Sequence, residues 1–507
     1  MSSMQKAGRN MMLVASLTVL SKLIAIIRQI VLTNFFGASN ISDAYILAQS
    51  IPNTLFLLVS SAIGVSFIPV FNQVRRNKGE NEADLYTSRM INCVLIISSV
   101  IIVFSLIFSN QIIYIFASGF DSQTAMLASK YLRISVFSIY FIGMCGVLSS
   151  YLKIKGDFLV PSIIGIALSL VEITTCIIAY YYSDVILAIG ITVAAVCQFL
   201  LVFFSSIKHG YKHHINLSVR DEWIKKSVLM SLPVMIGLGV DEVNVIVDRT
   251  IASGFQTGSI SVLNYANTLV SIVHNTISVS IYTVLFTEVS ELAVKNERQS
   301  MCKRIINALE TALLLLIPAT VGIIVFSHPI IHVLYERGNF SATSTELTSG
   351  AMVFYALYIV PNGIRLISQA YFYAYGRTKL CMIVGFIAVA SNIILNLTLS
   401  RKIGLNGLAL ATSIGVLIGS VILFVKLYIE NRDFSFKVLI VKSFIIFFNS
   451  MVMGIISYLF FQFMMGKISV LLNLILSVCL SLVIYFSMSI ITRTLNKDTI
   501  MLYLHRG

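Results

Sequence analysis

The sequence predicts an all-α polytopic membrane protein with about 14 transmembrane helices. Of its 507 residues, 57% are hydrophobic and only 11% are charged, with a mean hydropathy of +0.90. A soluble globular chain carries about 25% charged residues, so this chain has too few charges to cover a soluble surface. Its apolar residues also form long blocks, of the roughly 20-residue length that crosses a bilayer as a helix.

Fourteen such blocks follow one another along the chain. The first continues past Lys22 and Arg28 to Phe36 without a small-residue cleavage site, which favours a retained helix over a signal peptide. Several blocks exceed the minimum length, which allows tilt. We predict spans at approximately 10–35, 43–70, 88–117, 127–151, 158–182, 185–206, 228–253, 258–288, 304–326, 346–373, 380–400, 405–429, 438–463 and 468–492.

The basic residues predict the orientation. The connections 36–42, 119–126, 183–184 and 254–257 hold none, and the exceptions on that side are Arg337, Arg401, Lys402 and Lys467. The bases of the alternate connections and of both termini are Lys6, Arg9, Arg75, Arg76, Lys78, Lys153, Lys155, Lys208, Lys212, Arg220, Lys225, Lys226, Lys295, Arg298, Lys303, Arg304, Arg377, Lys379, Arg432, Lys497 and Arg506. The positive-inside rule then places both termini in the cytoplasm. Loop bases also account for the net charge of +14, so no nucleic-acid partner is expected.

The longest polar connection, 207–227, divides the first twelve spans six and six. We predict an N-lobe at 1–206, a basic cytoplasmic linker at 207–227, a C-lobe at 228–430, and two further helices with a tail at 431–507. Faint similarities between the halves, such as Phe67–Phe71 with Tyr282–Phe286, suggest parallel repeats like those of many transporters. The linker contains His209, His213 and His214, but without i,i+4 spacing or carboxylate support it is interpreted as a solvated linker, with no metal site. Seven cysteines without a CxxC pair imply neither a disulfide framework nor zinc.

Charged residues inside the predicted spans are the candidate functional residues. A charge at mid-membrane costs about 2.5–3.5 kcal/mol on insertion scales, so it usually faces a wet cavity or a partner. A cavity lined by arginine and lysine suits a phosphate or pyrophosphate. The charged residues at this depth are Lys22, Arg28, Asp43, Glu172, Asp241, Glu242, Asp248, Arg249 and Arg365.

Alternatives remain open for several of these residues. Lys22 lies closer to the cytoplasmic end of its helix than Arg28 and is able to snorkel. Asp43 either caps the second helix or forms a gate or ion pair. Asp248 and Arg249 are adjacent and also fit a local interfacial pair, whereas Glu172 is protonated, paired or part of a relay. Asn53, like Asn362, follows a proline and is predicted at a helix bend.

The sequence contains no catalytic constellation. It lacks a Ser/His/Asp arrangement, a Gly-rich phosphate loop followed by Lys and Ser or Thr, an H-E-x-x-H motif and a sizeable soluble domain. We therefore predict a transporter without a cofactor or bound metal, rather than an enzyme or an ATP-driven pump. Any energy input would come from an ion gradient or the membrane potential.

Several motifs resemble the MurJ/MviN family of lipid II flippases, in order and over nearly the whole chain. They are Ser21–Arg28, Phe36–Ala38, Ser42–Ala44, Ile51–Asn53, Phe67–Phe71, Val247–Arg249, Gly258–Ser261, Asn264–Asn267, Tyr335–Phe340, Phe354–Leu357, Ala370–Ala374 and Asn392–Asn396. The resemblance implies a MATE-like fold, with two six-helix lobes and two C-terminal helices that line a lipid groove. It implies alternating access that carries an undecaprenyl-pyrophosphate-linked saccharide from the inner to the outer leaflet of the bacterial cytoplasmic membrane.

The same resemblance assigns pyrophosphate contact to Arg28 and Lys22, and a gate to Asp43. With the charged and motif residues, the candidate substrate-binding set is Lys22, Arg28, Asp43, Asn53, Glu172, Asp248, Arg249, Asn267 and Arg365. The partners implied are the lipid-linked oligosaccharide, membrane lipid and enzymes of cell-wall synthesis.

Two departures from the family pattern keep other substrates open. The family usually has arginine one turn into the second helix, where this chain reads Thr54–Leu57, and another after Asn-Tyr-Ala-Asn, where it has Thr268. Either Arg249, Arg365 or another base compensates, or the chain carries another lipid-linked polysaccharide unit, of the O-antigen, capsule or teichoic type. A MATE-like cation-coupled exporter of small molecules is a further alternative, but cationic drugs prefer acidic or aromatic cavities.

Overall fold

A computed structural model describes residues 3–214, 221–431 and 437–495, and this part of the chain contains helices and no strand. It forms eighteen α-helices and one π-helical segment, Asn275–Val279. The α-helices are α1 Ser3–Phe36, α2 Asn40–Lys78, α3 Glu80–Ile107, α4 Ser109–Phe116, α5 Ser122–Ser135, α6 Ser138–Ile154, α7 Leu159–Tyr181, α8 Val185–Lys208, α9 Glu222–Ser253, α10 Ser259–His274, α11 Ser280–Val294, α12 Arg298–Tyr335, α13 Ala342–Ala356, α14 Ile359–Ala374, α15 Thr378–Ile403, α16 Leu405–Glu430, α17 Lys437–Met464 and α18 Val470–Ile491.

The helices account for all fourteen predicted spans, so the predicted fold class is confirmed. Ten spans are single helices and four are interrupted, as in the 44° bend between α5 and α6. Among the described residues, 11 helices are long and apolar enough to cross a membrane, or 13 if each bent pair forms one span. α9, which carries four charged residues between Asp241 and Arg249, is not among them. The protein is a multi-pass membrane protein.

The first compact unit comprises residues 1–261 and the short segment 337–340. Within it α2 packs against α3, α5, α6 and α9, while α1 packs on α7 and α7 on α8. The motif Phe67–Phe71 lies in the core of this unit, since both phenylalanine side chains are fully buried. The Phe67 ring stacks on Tyr86 with centroids 5.6 Å apart, and the Phe71 ring meets Tyr151 edge-on at 5.9 Å.

The second compact unit comprises residues 262–336 and 341–507. Its α12 packs against α11, α13, α14, α17 and α18, and its α16 packs against α13, α14 and α15. Two polar contacts hold the C-terminal helices to α12. The Lys442 ammonium lies 2.8 Å from the Glu310 carboxylate, and the Tyr485 hydroxyl donates to the Leu314 carbonyl at 2.6 Å.

This division by packing differs from the predicted lobes, because it places α9 in the first unit. The lobes at 1–206 and 228–430, the linker at 207–227 and the terminal region at 431–507 stay predictions. Part of that linker and most of the C-terminal tail lie outside the described residues, together with Arg220, Arg432, Lys497 and Arg506.

Candidate functional site: a polar cluster around α2

The site begins with the parallel packing of α1 on α7. Gly165 lies so close to α1 that an added Cβ would stand 2.4 Å from the Ser21 Oγ. Seven residues further along each helix, the Arg28 guanidinium meets the Glu172 carboxylate in an ion pair. Seven residues are about two helical turns, so both contacts fall on the same seam between the helices. Because Gly165 has no side chain, α1 packs closely against α7, and this close packing brings Arg28 to Glu172.

Glu172 has one polar partner for each of its two oxygens. Arg28 Nη1 donates to Oε2, while Gln49 Nε2 on α2 donates to Oε1 at 2.9 Å. The Glu172 side chain is 2% exposed and that of Arg28 is 27% exposed. A buried carboxylate with this little water contact needs such partners to remain ionised. Of the three roles left open for Glu172, the structure shows the paired one.

α9 approaches α2 from another side and adds a second pair of contacts. Arg249 Nη1 donates to the Ser50 hydroxyl at 2.7 Å, and the Thr54 hydroxyl donates to the Glu242 carboxylate at 2.8 Å. The contacts advance along α2 from Ser50 to Thr54 and go back along α9 from Arg249 to Glu242, so the two helices run antiparallel. We define the α2 polar cluster as Arg28, Gln49, Ser50, Thr54, Glu172, Glu242 and Arg249.

The formal charges of the α2 polar cluster balance. It contains two arginines, whose guanidinium groups are always protonated, and two glutamates. Guanidinium groups suit phosphate because their planar N–H groups match its oxygens. The cluster therefore places two guanidinium groups at membrane depth, and that of Arg28 is paired with the Glu172 carboxylate.

Asp43 does not cap its own helix, because Ser39 and Ser42 form a reciprocal capping box at the start of α2. The Asp43 carboxylate instead accepts hydrogen bonds from the backbone of Gly258 at 2.8 Å and of Ser261 at 2.7 Å. It also accepts from the Ser261 hydroxyl at 2.5 Å. Asp43 thus caps α10, where a negative charge is stabilised by the unpaired N–H groups of the helix start.

Two candidate residues of the second unit lie on a separate polar network. The Asn267 side chain is exposed and its oxygen accepts from the hydroxyls of Ser271 and Tyr358, at 3.3 and 3.4 Å. Arg365 Nε donates to the Asn362 oxygen at 3.1 Å, and the Asn362 amide contacts His274 Nε2 at 2.9 Å. The π-helical segment begins directly after His274, and such segments occur often at functional sites.

The remaining candidates are Lys22, Asn53 and Asp248. Lys22 is exposed on α1. Asn53 is exposed, and its amide donates to the Gln49 carbonyl of its own helix at 2.8 Å, as expected for a local contact next to Pro52. Asp248 is half-buried on α9 beside Arg249. The assignment of all nine candidates to the substrate remains a prediction.

Sequence reasoning left three neutral members of the cluster unassigned: Gln49, Ser50 and Thr54. The sequence does contain a polar stripe that could have identified them. One face of α2, within an apolar span, carries Gln49, Ser50, Asn53 and Thr54. Phe56, in the segment where the family usually has arginine, is 1% exposed and packs against Gly143. Thr268, in the other such position, donates to the Asn264 carbonyl at 2.8 Å.

Metal chemistry has no evident place among the described residues. No group of three or more His, Cys, Asp or Glu side chains in this part of the chain has the proximity needed to hold an ion. In the linker, burial lowers the pKa of His213, whose Nδ1 lies 2.8 Å from the Tyr211 hydroxyl.

The fold defines the class of protein as a multi-pass α-helical membrane protein with a MATE-like fold. A solved inward-facing multidrug resistance MATE family transporter of the MOP superfamily matches with a TM-score of 0.68, over 82% of this chain and 96% of that chain. At 13% identity that match establishes the fold alone. The family model described as lipid II flippase MurJ matches residues 32–479, and the chain belongs to this family.

Relatives and a solved structure agree with this assignment. A probable lipid II flippase MurJ of Rickettsia prowazekii is 26% identical over 97% of this chain and 98% of its own length. The lipid II flippase MurJ of Thermosipho africanus is 29% identical, over 87% and 88% of the two chains. A structure of lipid II flippase MurJ in an inward closed conformation matches with a TM-score of 0.81 at 28% identity, covering 96% of this chain and 99% of that chain.

Proposed function

We propose that this protein carries lipid II, an undecaprenyl-pyrophosphate-linked saccharide, from the inner to the outer leaflet by alternating access. Family membership supports the substrate class. The observation that carries the proposal is the pair of arginines at membrane depth, Arg28 and Arg249, held on either side of one polar face of α2. Charge at this depth is costly and is retained where it meets a polar substrate.

The chemistry of the substrate fits these two side chains. A pyrophosphate carries several acceptor oxygens, which guanidinium groups bind through paired, charge-assisted hydrogen bonds. We propose that Arg28 and Arg249 hold the pyrophosphate, while Lys22 on the exposed part of α1 attracts it. The isoprenoid tail would remain in the lipid, because burying it in a polar site would forfeit its apolar contacts.

The driving force, the orientation in the membrane and the protein partners are also part of this proposal. We propose that the protein is not an enzyme and uses no cofactor, with any driving force supplied by an ion gradient or the membrane potential. Both termini would lie in the cytoplasm, as the basic connections indicate. Enzymes of cell-wall synthesis are the proposed protein partners, since they make and consume the lipid-linked precursor.

Transport in proteoliposomes tests the function. Wild-type protein should move lipid II between leaflets, and Arg28→Ala and Arg249→Ala should each lower the rate about tenfold or more, the effect of losing a charge-assisted phosphate contact. Arg133→Ala is the matched control, because Arg133 also donates to a serine hydroxyl of the first unit, that of Ser109 at 2.8 Å. Unchanged transport in both arginine variants would exclude the pyrophosphate-binding role.

A second candidate function is transport of another undecaprenyl-pyrophosphate-linked glycan. The observation that favours it is the absence of arginine at Phe56 and Thr268, one buried and the other bonded to its own helix. Supplying lipid II and a second lipid-linked glycan to the same proteoliposomes separates the two. If only the second glycan moves, the substrate of the lead proposal is wrong and the class of transporter stands.

A further inference from the structure

We infer that Glu172 is a built-in counter-ion which occupies Arg28 between transport events and which the pyrophosphate of the substrate replaces. The inference rests on the proposed function and assigns Glu172 a role in controlling substrate affinity. It begins from the ion pair between Arg28 on α1 and Glu172 on α7. Some N–H donors of a guanidinium group in an ion pair already donate to the carboxylate. A phosphate oxygen must therefore compete with that carboxylate for them.

The charge balance of the α2 polar cluster supports this exchange. With two arginines and two glutamates, the cluster carries no formal surplus of positive charge. At Arg28, a phosphate therefore meets a guanidinium group whose charge is already balanced by Glu172. The exposed fractions agree, because Arg28 is 27% exposed and reachable, whereas Glu172 is 2% exposed and fixed. The arginine is the member of the pair that moves.

Gln49 makes the release of Arg28 possible. Removing one partner of a buried ion pair is costly when the remaining charge is left without a hydrogen bond. Here the two partners of Glu172 use different oxygens, with Gln49 Nε2 on Oε1 at 2.9 Å and Arg28 on Oε2. When Arg28 turns to the substrate, Gln49 still donates to the carboxylate. The cost of leaving Glu172 buried is therefore lowered by Gln49.

This arrangement predicts opposite effects for two substitutions. Glu172→Gln removes the competing charge, so undecaprenyl pyrophosphate should bind about five- to tenfold more tightly, as when a partly buried ion pair no longer has to be broken. Gln49→Leu leaves Glu172 dependent on Arg28, so the same lipid should bind more weakly, by a similar factor. A purely structural pair would instead weaken binding in both variants and lower the melting temperature.

The experiment is a titration of the full-length protein in detergent micelles with undecaprenyl pyrophosphate, followed by native mass spectrometry. Glu82→Gln is the control, because Glu82 also pairs with an arginine of the first unit, Arg89, at 2.9 Å. Its affinity should match the wild type. Glu172→Gln should also slow transport at saturating lipid, since tighter binding delays release.

The outcomes separate the inference from the function on which it rests. If wild type binds the lipid and Arg28→Ala does not, but Glu172→Gln binds no more tightly than wild type, the counter-ion role is overturned and the proposed function stands. Equal binding by wild type and Arg28→Ala overturns both. If Glu172→Gln fails to fold, Glu172→Asp replaces it. The shorter acid should bind the lipid more tightly than wild type, and equal or weaker binding overturns the inference.

Discussion

At the scale of single residues, charged side chains in apolar spans identified candidate site residues, whereas uncharged polar side chains did not. Arg28, Glu172 and Arg249 stand out in the sequence because ionised groups are rare in apolar spans. Their neutral partners, Gln49 and Ser50, do not stand out, since serine and glutamine occur throughout membrane helices. Which carboxylate meets Arg28 depends on the seam between α1 and α7, and no local pattern encodes that pairing.

Asp43 illustrates a role that the sequence left undecided. Sequence position allowed a cap of α2, a gate or an ion pair. The structure excludes the cap of α2 and shows a carboxylate that accepts three hydrogen bonds from Gly258 and Ser261 at the start of α10, while the gate stays a prediction. Gly258 has φ +88°, and an added Cβ would lie 2.4 Å from the Ala38 carbonyl oxygen. The turn that Asp43 binds therefore requires glycine.

Asp43→Asn should destabilise the first unit. The amide replaces one acceptor oxygen by an NH2 donor, so one N–H of the turn loses its partner, at a cost of about 1–3 kcal/mol. The measurement is the apparent melting temperature in detergent micelles. Ser39→Ala, which removes the cap of α2 itself, should cost about 1 kcal/mol and serves as the comparison. A smaller loss for Asp43→Asn than for Ser39→Ala would contradict the assigned contacts.

At the scale of elements, the existence of the helices was predictable, whereas two of their interruptions carry no local signal in the sequence. Long apolar blocks identify spans because the bilayer sets their length. The break at Phe108 and the π-helical segment after His274 have no proline or glycine within them to announce a change of geometry. Such interruptions depend on the packing of neighbouring helices, which a linear pattern does not contain.

The seam between α1 and α7 gives a prediction about helix packing. Gly165→Ala should lower the melting temperature, because the new Cβ would stand 2.4 Å from the Ser21 Oγ and overpacking costs about 1–3 kcal/mol. Ser21→Ala should relieve the clash, since the Ser21 Cβ would lie 3.7 Å away, in ordinary contact. The double variant Ser21→Ala/Gly165→Ala should therefore recover stability.

Gly146 provides the control for that prediction. It lies in α6 with no atom within 4 Å of an added Cβ, so Gly146→Ala should raise stability by about 0.5–1 kcal/mol through helix propensity alone. If Gly165→Ala behaves like Gly146→Ala, α1 and α7 do not approach as closely as described. If the double variant shows no recovery, Ser21 is not the limiting contact.

At the scale of the whole molecule, composition alone established the class. Few charges and long apolar blocks exclude a soluble protein, and fourteen spans follow from counting those blocks. The boundary between the two compact units is harder to predict from the sequence. The polar linker is the most obvious division in the sequence, yet α9 packs against α2 in the first unit through contacts with Ser50 and Thr54.

The orientation in the membrane gives a prediction for the whole molecule. Lys208 and Ser183 are exposed residues at opposite ends of α8. A membrane-impermeant maleimide should label Ser183→Cys in intact cells and should label Lys208→Cys only after permeabilisation, because the positive-inside rule predicts that the basic connections lie in the cytoplasm. Wild-type protein, with its seven native cysteines, sets the background. The reverse labelling pattern would overturn the predicted orientation.

The segment 337–340 has a consequence for how the protein is made. Asn339 donates from its backbone to the Asn34 carbonyl at 2.9 Å and from its side chain to the Phe35 carbonyl, which satisfies the end of α1. These donors leave the ribosome only after residues 262–336 have been synthesised. The first unit therefore reaches its final form late in translation. A fragment ending at Ser261 would insert without the Asn339 donors for the Asn34 and Phe35 carbonyls.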